Sequence, residues 1–212
     1  MRLLTGTLVA DGSSDLAMLK PLLEWLVRHE LKREIVVNCP EFGRMPRPPR
    51  TLADKIRKGM ERCEVDILFV HRDAERQDPS RRDEEIEVAI GSVACCPVHV
   101  AVVPVRMSEA WLLLDERAIR ATAWNPRGTA PLGIPDPSRI ESVDAKAVLQ
   151  NALVTANGSK GRSLEQFERH IQERITQVAA QIADHAEGWL PSYRLPSFLR
   201  LAERIRALEL PN

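Results

Sequence analysis

Aromatic residues are scarce in this chain, with four phenylalanines and a single tyrosine set against 15 prolines in 212 residues. That balance points to many loops and to helices rich in Leu, Ala and Val. Net charge is also missing, because 30 basic and 30 acidic residues cancel. No global field draws in nucleic acid, so any such binding has to come from a local patch. The four cysteines, Cys39, Cys63, Cys95 and Cys96, show no CxxC spacing and lie in or beside apolar runs. They read as buried, reduced thiols rather than as metal ligands or redox pairs. No run approaches the ~20 apolar residues of a membrane helix. The first residues lack the apolar stretch and small-residue cleavage site of a signal peptide. A soluble, cytoplasmic protein is the expectation. Neither a GxSxG elbow nor a GxxxxGK[ST] phosphate loop occurs, which leaves triad-hydrolase and P-loop chemistry without support. There is no internal repeat and no low-complexity tract.

What is present is alternation. Leu3 to Ala10 reads as a strand, and a helix capped by Ser14 follows to about His29, with Leu16, Leu19, Leu22, Leu23 and Leu26 on one face. Pro21 falls inside this helix and argues for a kink or a later start. Glu34 to Asn38 is a second strand. A Pro/Arg-rich loop, Glu41 to Arg50, leads to a helix capped by Thr51. Val65 to Val70 is the third strand, followed by a helix from about Pro79 to Ile90. Val98 to Val105 is the fourth strand, and a helix from about Ser108 to Ala123 follows it. Strand and helix in turn predict a mainly parallel sheet of about four strands flanked by helices. Residues 124 to 141 read as a long Pro/Gly-rich surface loop. Beyond it the chain reads as wholly helical: Asp144 to Ala156, Ser163 to Glu187, and Pro196 to Leu208. The expected organisation is an α/β core over 1–123 and a loop plus helical extension over 124–212.

The chemistry concentrates at strand ends. The run Ile67 to Val70 delivers His71, Asp73 and Glu75 at its C-terminal end, the edge where open α/β sheets bind their ligands. Leu8 to Asp15 places Asp11 at another strand end, then Gly12, Ser13 and Ser14 at a helix start whose free N–H groups suit a phosphate. Adjacent parallel strands would bring Asp11, Asp73 and Glu75 together, a donor set fit for Mg²⁺ or Mn²⁺. Two such ions can clamp the attacking and leaving oxygens of a phosphodiester. The plain alternative pairs Asp73 and Glu75 with Arg72, Arg76 or Arg81 as solvated charges. After the fourth strand, Glu109 either complements the positive end of its helix or adds a ligand to the same edge. Trp111 and the leucines beside it read as core, and Asp115 as a surface or helix-contacting charge. His29, His99, His170 and His185 show no mutual spacing suited to a metal.

Taken together, Asp11 to Asp15 after one strand and His71 to Glu75 after a later one resemble the two signatures of the Toprim fold. That fold occurs in topoisomerases, primases and nucleases of the overcoming-lysogenization-defect type. With Ser108 to Asp115 and the later Leu195 to Phe198, the chain looks like an uncharacterised bacterial Toprim-like family. The core resemblance covers about Leu3 to Asp115, and the wider one nearly the whole chain. It implies Mg²⁺-dependent phosphodiester chemistry at Asp11 and Asp73; the leading reading has Asp11, Asp73 and Glu75 holding Mg²⁺ or Mn²⁺, Glu109 assisting, and His71 orienting or deprotonating water. Two positions depart from the family pattern: Asp11 stands where the family has Glu, and His71 replaces the first Asp of an Asp-x-Asp pair. Imidazole suits Mn²⁺, Fe²⁺ or Zn²⁺ better than Mg²⁺. A changed metal, a general-base role for His71 and a degenerate site that only binds a nucleotide, an anion or a partner protein all stay open. By family analogy alone, a subunit of a defence or mobile-element system is a further reading. Basic loops offer contacts to DNA or RNA phosphates through Arg44, Arg47, Arg50, Lys160 and Arg162. A homodimer or a partner protein completes the expected associations.

Overall fold

A computed structural model describes residues 2–61, 65–75, 77–94 and 96–210. Cys63, Cys95 and Arg76 lie outside the described residues. Four strands form one all-parallel sheet: β1 (Leu4–Val9), β2 (Ile35–Asn38), β3 (Ile67–His71) and β4 (Val98–Val102). Their spatial order is β2-β1-β3-β4, and every pairing is parallel. The chain leaves β1 toward one side and returns to add β3 on the other. The crevice beyond the C-terminal ends of β1 and β3 is therefore the topological switch point, where such sheets bind ligands.

Both faces of the sheet are covered, which explains why its strands read as nearly continuous apolar runs. Successive side chains of a strand point to opposite faces. Leu4 and Leu8 of β1, with Ile67 and Phe69 of β3, face a large cluster built on α1 (Ser13–Leu31) and the C-terminal helices. Val9, Leu68 and Val70 face a smaller cluster with Ile56 of α2 (Leu52–Met60) and Ile86 and Ile90 of α3 (Pro79–Gly91). Gly6 sits in the middle of this layering. A Cβ there would lie 3.0 Å from both Ile35 Cδ1 and Phe69 Cε2, so a side chain at this position would force those neighbours to shift.

The helices begin where short polar side chains catch free N–H groups. Thr51 accepts from the Asp54 N–H, and Asp78 from the Ser80 N–H just before Pro79 at the helix start. At α1 the cap position is Gly12, two residues earlier than the sequence reading with Ser14, and Asp15 reaches back to accept from the Gly12 N–H at 3.2 Å. Pro21 does not end α1, which runs on to Leu31.

Four stretches differ from the sequence reading for local reasons. β4 stops at Val102, two residues before Pro104. The expected helix from Ser108 to Ala123 is split into a 3-10 segment, Ser108–Leu112, and α4 (Glu116–Thr122). The break falls where buried Asp115 turns its carboxylate onto the Ala118 N–H as a cap and accepts from His185 Nδ1 at 3.1 Å. Asp136 similarly caps a one-turn helix, α5 (Pro137–Ile140), within the expected loop. Further on come α6 (Ala145–Asn157), α7 (Arg162–Arg169), α8 (Ile171–Asp184) and α9 (Pro196–Arg206). The single helix expected over Ser163 to Glu187 is thus two, separated at His170.

These C-terminal helices share one apolar cluster with the sheet. Trp111 is buried against Phe198 of α9 edge to face, and its indole N–H donates to Ser197 Oγ at 2.7 Å. Trp189 stacks on the other side of Phe198. At the sheet's outer edge, Arg204 of α9 pairs with both oxygens of Asp83 on α3 and donates to the Ala101 carbonyl of β4 at 2.9 Å. Among the described residues no helix is long and apolar enough to cross a membrane.

Candidate functional site

The loops after β1, β3 and β4 converge at the switch point. The segment after β3 stays tied to the segment after β4: Arg72, Ala74 and Glu75 donate their N–H groups to the carbonyls of Val102, Pro104 and Arg106. Glu75 is held at φ +57, a left-handed conformation that costs a non-glycine residue about 1 kcal/mol or more. The ladder therefore fixes where Asp73 and Glu75 sit.

An open pocket of about 490 Å³ lies there, lined by Asp15, Asp73, Glu75, Glu109 and Asp144, with Arg106 and Lys146 as its cations. Burial is the main force lifting the Asp15 carboxyl above its ordinary range, and the charges of Asp73 and Asp11 add to it against the opposing pull of His71. Glu109 is raised for the same reasons, burial first and then Asp73 and Asp15, against the nearby Lys146 ammonium. Asp15 and Glu109 thus both feel the charge of Asp73.

Asp73 is steadied from below by two buried side chains. His71 Nε2 lies 3.2 Å from Asp73 Oδ1 and 3.0 Å from Ser108 Oγ, and the Ser108 hydroxyl itself reaches Asp73 Oδ1 at 3.4 Å. His71 is 2% exposed, and Nε2 is already engaged. Among the described residues its buried Nδ1 has no hydrogen-bond partner. This arrangement orients a carboxylate. A serine and an aspartate on the same ring nitrogen do not make a nucleophile–base–acid relay, which requires opposite nitrogens.

Asp11 has a different setting. Its two oxygens take one cation each, Lys55 Nζ at 2.6 Å and an Arg72 guanidinium N–H at 2.6 Å. Burial pushes its pKa up, but the Lys55 hydrogen bond and the Arg72 and Lys55 charges outweigh it and leave the carboxyl below its ordinary range. Asp11 does not line the pocket of Asp73 and Glu75; it lines a neighbouring cleft with Gly12, Ser13 and Lys55. The start of α1 is the partition: Gly12 and Ser13 face the cleft, while Ser14 and Asp15 face the acidic pocket. Among the described residues, no three His, Cys, Asp or Glu side chains converge tightly enough to enclose a metal ion.

The remaining sequence candidates are spread wider. Arg44 pairs with Glu41 at 2.6 Å and lines the same cleft as Lys55, with exposed Arg47 and Arg50 in the loop beside it. Lys160 and Arg162 are exposed at the junction of α6 and α7 and line neither recess. Arg72 pairs with Asp11 and with Glu85, rather than with Asp73 or Glu75. Cys39 is half-buried, and burial pushes its thiol up to about 11. The sequence reading passed over Asp15, Ser108, Lys55 and Arg72 as parts of this site. Asp15 carried a usable signal, since it lies one helical turn beyond Asp11 in the first turn of α1.

Fold and site together define an α/β protein with an all-parallel four-stranded sheet and a carboxylate-lined pocket at its switch point. Comparison with protein-family models, with curated proteins and with solved structures gives no match.

Proposed function

We propose that the chain is a Toprim-like enzyme of metal-dependent phosphodiester chemistry, acting on nucleic acid with Mg²⁺ or Mn²⁺. The observation that carries this reading is the acidic pocket, where Asp15, Asp73, Glu75 and Glu109 line open space and the Asp73 charge adds to the effect of burial on Asp15 and Glu109. Carboxylate oxygens on an open pocket suit a hard cation that keeps some of its waters. Asp73 and Asp15 would hold it, and Glu109 and Glu75 line the same pocket. The cation would supply charge to a phosphoryl oxygen and an acidified water as nucleophile. His71 and Ser108 keep the Asp73 carboxylate turned toward the pocket. Lys55 and Arg72, held by Asp11 beside the start of α1, give a phosphate its positive neighbours.

A second reading has its own observation. Asp11, in the place of the family's Glu, is neutralised by two cations, which favours a module that binds an anion or a partner without cleaving it. One experiment separates the two. Titrate Mn²⁺ and Mg²⁺ calorimetrically, and incubate plasmid, single-stranded DNA and RNA with the wild type and with Asp73→Ala. Cation binding and cleavage by the wild type, both lost in Asp73→Ala, support the enzyme. A wild type that neither binds cation nor cuts any substrate sinks it.

A further inference from the structure

Across the α1 start from the acidic pocket lies the second recess, a cleft of about 480 Å³. That volume is in the lower part of the range of small-molecule sites, about 300–1,000 Å³. It far exceeds what a phosphate or a hydrated cation fills. Its walls are mainly apolar: Leu16 of α1, Phe42, and Pro40, Pro48 and Pro49 of the loop between β2 and α2. Leu16 and Phe42 are buried and show only an edge to the cleft, and the prolines supply the rest of its apolar wall. Polar groups gather toward the α1 end, where Gly12 and Ser13 open the helix and Lys55 meets Asp11. The Glu41–Arg44 ion pair belongs to the loop beside Phe42 and offers both an acceptor and planar donors. A ligand that matches has a flat apolar body with a polar edge, and an anionic end. A planar heteroaromatic ring stacks on phenyl and guanidinium planes, and an acyl chain would leave the Glu41–Arg44 groups unused.

We propose that this cleft receives one nucleoside, its base against Phe42 and the prolines and its phosphate toward Gly12, Ser13 and Lys55. The unit recognised is an unpaired nucleotide, either a free nucleoside monophosphate or the end of a single strand. A paired base brings its partner with it, and a cleft sized for one nucleoside excludes the pair. As the substrate subsite of a phosphodiester enzyme, the cleft rests on the reading of the acidic pocket as the reaction centre. A phosphate at the start of α1 then lies on the partition between cleft and pocket.

The test uses the full chain in calorimetry with adenosine 5′-monophosphate, ribose 5-phosphate and inorganic phosphate, each in EDTA, with Mn²⁺ titrated separately. The base is expected to strengthen binding about tenfold or more over ribose 5-phosphate. Gly43→Phe should abolish that difference. Gly43 lines the cleft and a Cβ there meets nothing within 4 Å, so a larger side chain can start at this wall without a clash. Phe42→Leu, a smaller change, should reduce the difference. Thermal melts of both variants serve as the check that they fold. Equal affinity for the nucleotide and ribose 5-phosphate overturns the proposal, as does undiminished nucleotide binding in folded Gly43→Phe. Competition separates the sources. A short single-stranded oligonucleotide that displaces the nucleotide supports a strand end, and displacement by mononucleotides alone supports a free ligand. A blunt duplex that competes as well as either one refutes the single-nucleoside cleft. Nucleotide discrimination without Mn²⁺ binding would retain the cleft and remove the metal reading. Mn²⁺ binding without discrimination would do the reverse.

Discussion

Asp11→Asn tests whether this carboxylate works as an anchor for two cations or as a ligand in the acidic pocket. Asparagine keeps the shape of the side chain and removes its charge, so Lys55 and Arg72 each lose a partner at 2.6 Å. Asp11 is half-exposed, and exposed pairs of this kind contribute about 0.2–1 kcal/mol each. Arg72 keeps Glu85 at 3.0 Å, which softens the loss. The expected cost is therefore about 1 kcal/mol at neutral pH. For a chain of this size that lowers the melting temperature by about 2–4 °C.

The pH dependence sharpens the test. The folded-state pKa of Asp11 is depressed, because Lys55 and Arg72 outweigh the opposing effect of burial. Its contribution is complete above the unfolded value of about 3.9 and is lost as pH falls through the lower folded value. Melting curves of wild type and variant, collected from neutral pH down into acid, should converge at the acid end. Added salt should narrow the gap at neutral pH. Mn²⁺ titration provides the functional half: Asp11→Asn should keep its cation affinity, and Asp73→Asn should lose it. A gap that persists unchanged into acid refutes the ion-pair account. So does a variant that loses Mn²⁺ as completely as Asp73→Asn.

Two other substitutions test separate contacts, one in the acidic pocket and one in the packing on α1. Asp15→Asn should stabilise the fold at neutral pH. Burial, Asp73 and Asp11 raise the folded-state pKa of Asp15, so its favourable contribution is present below about 3.9 and is lost as pH rises through the folded value. Mn²⁺ should raise the melting temperature of the wild type more than that of Asp15→Asn, and a variant less stable than wild type at pH 7 would contradict the repulsion. Gly188→Ala should cost about 2–3 kcal/mol, or roughly 4–12 °C in melting temperature. Gly188 has φ +51, and a Cβ there would lie 2.1 Å from Trp25 Nε1, on a ring already stacked against His29 at 4.6 Å. Melting within 2 °C of wild type would mean that Trp25 yields freely, contrary to that packing.

The sheet was legible in the sequence because both of its faces are apolar. Runs such as Ile67 to Val70 and Val98 to Val102 have no other sensible home than a buried parallel sheet. Helix starts were legible wherever the cap precedes the apolar pattern, as at Thr51 and Asp78. Caps inside an apolar pattern were not. Asp115 follows Trp111 to Leu114 without a break in composition, and only its buried bonds to Ala118 and His185 show why the helix restarts there. His170 hides the division of α7 from α8 in the same way. At the site, strand-end position located Asp11, Asp73 and Glu75 along the chain. Which carboxylates share a pocket depends on the direction of α1's first turn and on long-range partners. Lys55 lies 44 residues from Asp11, and Arg72 lies 61 away. Neither pairing leaves a local trace.

Arg204 gives the last helix a role beyond packing. β4 is an outer strand, and the Ala101 carbonyl points away from β3, since the next carbonyl, that of Val102, accepts from Arg72 on the inner side. An outer strand with open carbonyls is a template for another chain. The Arg204 guanidinium occupies that carbonyl and locks onto Asp83, so α9 stands across the row where a foreign strand would dock. The helix that completes the fold therefore also acts as its guard against self-association in fibres.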